Sequence, residues 1–165
     1  MAYLLDANVL IAAKNLHYGM DFCPGFWDWL VEAHEQGVVF SVEKVGDEVA
    51  AADDELSVWA SARGSGFFLR PDASVFPSLR QVSDWANGHG YTATAVDTFL
   101  RVADYYLVAQ ALAGGYVVVT HEIPSVSTKK IKIPDACIGL GIKCMTPYEM
   151  LRAERARFVL GGGPA

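Results

Sequence analysis

The segment Tyr116-Val117-Val118-Val119-Thr120 is the clearest β-strand candidate in this chain of 165 residues. Its valines are β-branched and favour an extended backbone, and the run is too short for a typical helix. Gly114 and Gly115 come directly before it and are expected to end a long helix over residues 95–113. A strand that follows a helix this closely is typical of chains in which the two elements alternate.

The same alternation extends from this segment to both ends of the chain. Short apolar runs predict further strands at residues 2–6, 38–40 and 142–145, and residues 67–69 are either a short strand or a buried turn. Helices are predicted after Asn8 as a cap, from Pro24, after Ser41 as a cap and through Leu56, over residues 75–87, near Pro134, and from Pro147. This order predicts a three-layer α/β/α sandwich with a central, mostly parallel sheet. We expect a single domain over residues 1–160 and a flexible tail over residues 161–165.

Composition restricts the class of protein further. Hydrophobic residues make up 52% of the chain, which is enough to bury a sizeable core. Cys23, Cys137 and Cys144 form no CxxC pair and cannot all pair within one chain, as is usual in a reducing compartment. The chain shows neither a signal peptide nor a run of ~20 apolar residues, so we expect a cytoplasmic protein without a membrane partner. The net charge of −6 argues against a broadly basic surface for nucleic acid.

Four acidic residues fall at positions where chemistry is expected in such a fold. Asp6 ends the first strand, Glu48 lies about two turns into the helix after the second strand, and Glu122 follows the strand that ends at Thr120. Asp104 lies in the middle of the long predicted helix, among apolar and aromatic residues. Parallel sheets carry their binding crevice at the carboxyl ends of the strands, where three of the four acids are predicted.

Carboxylates that gather in one place repel one another, and burial raises their pKa values further. Such a group is stable when hard cations lie among its oxygens, and Mg²⁺ or Mn²⁺ is the natural choice. Two such ions could activate a water molecule and stabilise the leaving oxygen of a phosphodiester. The pattern therefore predicts a divalent-metal site formed by Asp6, Glu48, Asp104 and Glu122.

The opening segment Tyr3-Leu4-Leu5-Asp6-Ala7-Asn8-Val9-Leu10-Ile11 resembles the opening of PIN-domain ribonucleases. Val117-Val118-Val119-Thr120-His121-Glu122 resembles the late element of that pattern, in which Thr, one residue and an acid follow apolar residues. Phe26-Trp27-Asp28-Trp29 and Lys132-Ile133-Pro134-Asp135-Ala136-Cys137 are similar to segments of a bacterial PIN-like family with a Trp-rich second segment, a Thr-x-Glu and a Lys-Ile-Pro-Asp-x-Cys. The resemblance covers essentially the whole chain.

This resemblance implies a metal-dependent ribonuclease, often the toxin of a toxin–antitoxin pair whose protein partner covers the site. It also implies a possible homodimer. Carried over by position, Asp6, Glu48, Asp104 and Glu122 are the ligands, although Glu122 stands where the family more often has Asp. Asn8 and Thr120 would support the site through hydrogen bonds.

Several residues near this pattern have two interpretations. Glu43 and Asp47 are alternatives to Glu48, which we prefer for its distance from Ser41 and the apolar residue after it. Asp135 is either a fifth acid at the site or the start of a short helix. Lys129, Lys130 and Lys132 either contact RNA phosphates or form a solvated loop. His121 has no recognisable carboxylate to orient it, so we expect it to be exposed and incidental.

Other functions fit the sequence less well. An aspartate-nucleophile phosphatase usually has a second Asp two residues after the first, and position 8 is Asn. Neither GxGxxG nor a Gly-Lys-Ser/Thr loop is present for nucleotide phosphates. The serious alternative is a catalytically silent PIN-like module that binds RNA or a protein partner. Glu122 and the negative net charge favour that alternative, whereas the four acids in order favour the enzyme.

Overall fold

Five short strands form one parallel sheet in the computed structural model of this protein, which describes residues 1–161. The strands are β1 (Tyr3–Leu5), β2 (Val39–Val42), β3 (Phe68–Leu69), β4 (Val117–Val119) and β5 (Cys144–Met145). They lie in the order β3-β2-β1-β4-β5, and every neighbouring pair is parallel. The central strand β1 pairs with β4 in the register Leu4 to Val118 and Leu5 to Val119. The predicted parallel sheet is therefore confirmed.

Helices connect the strands and flank the sheet, which confirms the three-layer α/β/α architecture. The helices are α1 (Ala7–Ala12), which continues into a π-helix (Ala13–His17), α2 (Pro24–Glu35), α3 (Glu43–Ala50), α4 (Glu55–Ser61), α5 (Gly64–Phe67), α6 (Phe76–Asn87), α7 (Ala93–Arg101), α8 (Ala103–Gly114), α9 (Ile133–Leu140) and α10 (Pro147–Ala153). Apart from Gly161, the tail predicted over residues 161–165 lies outside the described residues.

The core lies around the central strands. All three residues of β1 are fully buried, as are Val118 and Val119 of β4. Helix α8 packs against both β2 and β4, and its Leu107 is also fully buried. Because strands covered on both faces expose no side chain to water, they read as continuous apolar runs in the sequence. That is why β1 and β4 were recognisable.

Two of the predicted helix caps are wrong. Helix α1 begins at Ala7, so Asp6 and not Asn8 occupies the capping position. Ser41 lies inside β2, and its buried hydroxyl donates to the carbonyl oxygen of Leu5 at 2.6 Å. Serine favours helix caps because its hydroxyl accepts from backbone N–H groups. Here the hydroxyl instead satisfies a carbonyl oxygen where β1 ends.

The helix predicted from Ser41 through Leu56 is two helices, α3 and α4. Asp53 between them has a positive φ of 50°, which a continuous helix does not allow. Asp54 then caps α4, because its carboxylate accepts from the N–H of Ser57 at 3.0 Å. The hydroxyl of Ser57 accepts in return from the N–H of Asp54 at 2.9 Å. This reciprocal capping box starts a new helix at Glu55.

The long helix predicted over residues 95–113 is also two helices, α7 and α8. They meet at Val102, whose backbone is extended with φ −108° and ψ 171°. Asp104 therefore lies in the first turn of α8 and not in the middle of a helix. Gly115 ends α8 with a left-handed φ of 70°, as the glycine pair predicted.

Two further expectations concern the cysteines and membrane-spanning helices. Cys23, Cys137 and Cys144 are all free thiols. None of the helices within residues 1–161 has the length and apolar character needed to cross a bilayer.

The bond between Ser41 and Leu5 gives a test of how the sheet is held. We expect Ser41→Ala to lower the free energy of unfolding by about 1–3 kcal/mol, because it leaves the buried Leu5 carbonyl oxygen without this partner. Urea denaturation of both proteins measures the change. Ser65→Ala, at an exposed serine, is the control and should have little effect. Equal unfolding free energies for Ser41→Ala and wild type would contradict this account.

Candidate functional site

The site begins where β1 and β4 end side by side. Asp6 directly follows β1 and is only 3% exposed, and Thr120 directly follows β4 and is 1% exposed. The hydroxyl of Thr120 donates to Oδ2 of Asp6 at 2.8 Å. The same hydroxyl oxygen accepts from the backbone N–H of Glu122 at 3.1 Å. Thr120 thus holds the Asp6 carboxylate and fixes the backbone that carries Glu122.

Burial makes the Asp6 carboxylate costly to ionise. Its pKa is raised from 3.8 to about 6, mainly by removal from water and to a smaller extent by the negative charges of Glu122 and Glu48. The hydrogen bond from Thr120 acts in the opposite direction, because it stabilises the ionised form. The remaining rise shows that this bond does not fully offset burial.

Asp104 reaches the same region from the first turn of α8. Its pKa is raised from 3.8 to about 7. Burial is the largest cause, and the negative charges of Asp6, Glu122 and Glu48 raise the pKa by smaller amounts. The nearby ammonium group of Lys130 lowers this pKa, by a smaller amount. Residues from α3, α8 and the ends of β1 and β4 therefore form one electrostatically coupled group of carboxylates.

Glu122 is held on both of its carboxylate oxygens. Oε1 accepts from the backbone N–H of Ile133, at the start of α9, at 3.2 Å. Oε2 lies 3.5 Å from the ammonium nitrogen of Lys132. The side chain is 11% exposed, so this arrangement is largely shielded from water. Glu122 thereby ties α9 to the end of β4.

The structure separates the alternative acids from one another. Glu48 is exposed and lines the same cleft as Asp104 and Glu122. Glu43 pairs with Arg70 at 2.8 Å, and together with Asp47 it lines a different cavity. Asp135 accepts from the backbone N–H of Ser125 at 3.1 Å, so its carboxylate holds the loop before α9. Glu48 is thus the acid of α3 that faces the cleft.

The cleft beside these carboxylates has a volume of about 610 Å³. Its lining combines polar and apolar residues: Asn8, Lys44, Glu48, Ala95, Thr98, Phe99, Arg101, Val102, Ala103, Asp104, Glu122, Lys129, Lys130 and Ile131. Of the three lysines considered from sequence, Lys129 and Lys130 lie here, whereas Lys132 lines a neighbouring cavity. Asp6 is buried and is not part of this lining.

Two basic residues of the cleft were missed from sequence, Lys44 of α3 and Arg101 at the end of α7. Lys44 also lies over the ring of Tyr106, 5.3 Å from its centre. They come from different elements and are isolated in the sequence, so no local run of basic residues pointed to them. Only the fold brings them beside Lys129 and Lys130.

The donor chemistry of the group suits a hard divalent cation. Carboxylate oxygens are the ligands that Mg²⁺ and Mn²⁺ prefer, and the pKa values of Asp6 and Asp104, raised by burial and by the neighbouring acids, mean that their ionised forms are not fully stabilised. Within residues 1–161, no three Asp, Glu, His or Cys side chains stand close enough to enclose a metal ion as they are placed. Glu122 contributes to this, because its oxygens face Ile133 and Lys132.

The expectation that His121 is exposed is wrong. It is partly buried beside the rings of His17 and Tyr148, with ring centres 5.5 Å and 5.7 Å away. Burial and the neighbouring His17 lower the pKa of His121 below its usual value of 6.5. His121 is therefore part of an aromatic cluster next to Glu122.

Comparison with known proteins gives one match. A family model described as "Domain of unknown function (DUF4411)" matches residues 3–158, nearly the whole chain. Searches of curated proteins and of solved structures each found no match. The family description names no activity, ligand or partner.

The role of Thr120 can be measured through the titration of Asp6. We expect Thr120→Val to raise the pKa of Asp6 above its value of about 6, because the hydrogen bond that favours the ionised carboxylate is lost. The carboxyl carbon resonance of Asp6, followed by NMR against pH without metal, reports this. Thr98→Val, at an exposed threonine of the same cleft, is the matched control. An unchanged Asp6 titration would refute the proposed role of Thr120.

The two raised pKa values also predict how stability depends on pH. In the folded protein Asp6 and Asp104 keep protons up to about pH 6 and 7, whereas the ordinary value is 3.8. Their contribution to stability is therefore full at low pH and is lost as the pH rises to about 7. The side chain of Asp104→Asn cannot ionise, so this variant avoids the loss of stability at Asp104. In EDTA at pH 8 we therefore expect its Tm to lie several degrees above that of wild type, since a change of about 1 kcal/mol shifts Tm by about 2–4 °C.

Differential scanning calorimetry at pH 5 and pH 8 checks this expectation. The Tm difference between Asp104→Asn and wild type should grow from pH 5 to pH 8. Asp28→Asn makes the same chemical change at an exposed site outside the cleft and is the control. A Tm difference that stays constant with pH would show that Asp104 does not carry the shifted titration.

Proposed function

This chain belongs to the DUF4411 family, and we propose that it is a divalent-metal-dependent endoribonuclease that cleaves RNA phosphodiesters. The observation that carries the proposal is the electrostatic coupling of buried Asp6 with partly buried Asp104 and Glu122 and with exposed Glu48, the last three of which line one cleft. Burial and, to a smaller extent, the neighbouring negative charges raise the pKa values of the two aspartates, which is the situation that a hard cation relieves.

The basic residues of the cleft support a polyanionic substrate. Lys44, Arg101, Lys129 and Lys130 line it together with the acids. A phosphodiester needs such cations, because bare carboxylates would repel it. The net charge of −6 is compatible with this arrangement, since the positive charge required is local. The cleft thus offers a negative region for metal beside a positive region for phosphate.

In this proposal each residue has a separate task. Asp6 and Asp104 would hold the cation, and Glu48 and Glu122 would complete its surroundings. A bound divalent cation would supply an activated water molecule and stabilise the leaving oxygen. Thr120 keeps Asp6 oriented through its hydroxyl group, and the lysines would orient the phosphate.

We further propose that the protein acts in the cytoplasm as the toxin of a toxin–antitoxin pair. The cleft opens to solvent, since Glu48, Lys129 and Lys130 on its lining are all exposed. A partner protein that covered these residues would block both the acids and the phosphate-binding cations. The three free thiols suit a reducing compartment.

One observation favours a second candidate, a catalytically silent module that binds RNA or a protein partner. Both oxygens of Glu122 are engaged, one by the Ile133 N–H and the other by Lys132. If Lys132 serves permanently as the positive charge of this site, the acids would have a structural role. The cleft would then still bind phosphates through its cations.

Cleavage of labelled single-stranded RNA in Mg²⁺ or Mn²⁺ tests the enzyme. We expect Asp6→Asn and Asp104→Asn to lower the rate by more than about 100-fold, because even groups that only support a metal ligand contribute about 10–100-fold. Asp28→Asn should keep the wild-type rate. The same samples should show a rise in Tm with metal for wild type and for Asp28→Asn, but not for the two site variants.

The outcomes separate the two candidates. Cleavage that survives EDTA and both site substitutions would refute the metal mechanism. Lack of cleavage and of any metal-dependent change in Tm, with RNA still bound, would favour the silent module.

A further inference from the structure

A second cavity adjoins the cleft on the side of α1. It has a volume of about 410 Å³ and is lined by Asn8, Ile11, Ala12, Asn15, Leu16, His121, Glu122, Lys130 and Lys132. Three of these residues, Asn8, Glu122 and Lys130, also line the first cleft. The two spaces therefore adjoin each other at these residues, one of which is the acid Glu122. A chain-like ligand with a phosphate at the acids could extend into both.

The π-helix Ala13–His17 shapes one wall of this second cavity. Such helices are rare and occur frequently at functional sites. Here the segment carries Asn15, Leu16 and His17, all exposed, and Leu16 is 71% exposed. This wall presents an apolar side chain and a carboxamide beside a charged site. A nucleobase has an apolar face and a polar edge, so it can match a wall that offers an apolar side chain and a carboxamide.

An aromatic cluster stands at the edge of the same cavity. The rings of His17, His121 and Tyr148 lie within 5.5–5.7 Å of one another, measured between ring centres. Oη of Tyr148 lies 3.2 Å from Nε2 of His17, which links α10 to the π-helix. His121 belongs both to the cluster and to the cavity lining. His121 therefore brings this cluster to the cavity that Lys130 and Lys132 line, and the exposed ring of His17 lies 5.5 Å from the ring of His121.

We propose that the second cavity, with the rings of His17 and His121, binds one base of single-stranded RNA next to the phosphate that is cut. This inference rests on the proposed function, because it assumes that the phosphate lies at the acidic group. The rings supply a stacking surface, Asn8 and Asn15 can donate to and accept from a base edge, and Lys130 and Lys132 neutralise the adjoining phosphate.

Stacking determines which form of RNA is accepted. A base in a duplex is stacked on its neighbours and paired at its edge, so neither its face nor its edge is free for this cavity. A single strand can turn one base out without breaking pairs. The cavity volume lies within the range of about 300–1,000 Å³ that is usual for pockets holding small ligands, which is adequate for one base.

Fluorescence anisotropy of a labelled single-stranded hexaribonucleotide, in EDTA at low salt, tests the subsite by binding alone. We expect His17→Ala and His121→Ala each to raise Kd about 5- to 150-fold, since a stacked base contributes about 1–3 kcal/mol. His17→Phe keeps a ring and should bind nearly as tightly as wild type. Phe76→Ala removes an exposed aromatic residue that lines neither space, and it should leave Kd unchanged.

Three results would contradict the proposed stacking subsite. If both alanine variants bind like Phe76→Ala, or if His17→Phe binds as weakly as His17→Ala, the stacking subsite is wrong. Wild-type protein that binds duplex RNA as tightly as the single strand would also overturn it. The exposure of His17 means that its variants should keep the wild-type Tm, which confirms that they are folded.

The binding measurement stays independent of cleavage because no metal is present. Wild-type protein that binds the strand through His17 but cuts no RNA in Mg²⁺ or Mn²⁺ would end the proposed function and leave the subsite in place. Protein that cuts RNA but binds it equally well with either alanine variant would end the subsite alone.

Discussion

The hydrogen bond from Thr120 Oγ1 to Asp6 Oδ2 joins residues 114 positions apart and sets the geometry of the whole site. It forms because β1 and β4 are parallel neighbours in register, so their carboxyl ends meet at one edge of the sheet. A hydrogen bond to an ionised group contributes about 1.5–3 kcal/mol, yet the pKa of Asp6 is still raised to about 6. The fold therefore orients this carboxylate without fully stabilising its charge.

Because the fold leaves the negative charge of Asp6 only partly stabilised, a basic cleft can lie beside the acidic site in a protein of net charge −6. The negative charges of Asp6 and Asp104 repel each other. The stability that comes from keeping these two side chains protonated is lost as the pH approaches 7. Structures that keep such repulsion usually do so where function requires it. The lysines and Arg101 lie on the cleft lining, where the proposed phosphate would bind, whereas Asp6 is buried and is not part of that lining.

The sequence predicted the sheet and the positions of Asp6 and Glu122 after its strands, because both are local signals. Buried strands read as apolar runs, and Asp6 and Glu122 follow such runs directly. The break at Val102 was missed because Arg101-Val102-Ala103 contains neither Gly nor Pro, whereas the break before α4 did carry a capping pattern in Asp54 and Ser57. The contact between the rings of His17 and His121, and the presence of Lys44 and Lys130 in one cleft, depend on tertiary folding. No spacing along the chain reveals such pairs.

The break at Val102 changes what Asp104 can do. In the middle of a helix its carboxylate would face a neutral backbone, but in the first turn of α8 it lies at the positive end of the helix dipole. Glu122 makes the same kind of contact with the first N–H of α9. Two helix starts thus favour ionised carboxylates at one site, yet the pKa of Asp104 remains about 7. The backbone dipoles reduce the repulsion between the carboxylates but do not remove all of it. A divalent cation among these oxygens would supply the positive charge that removes the rest.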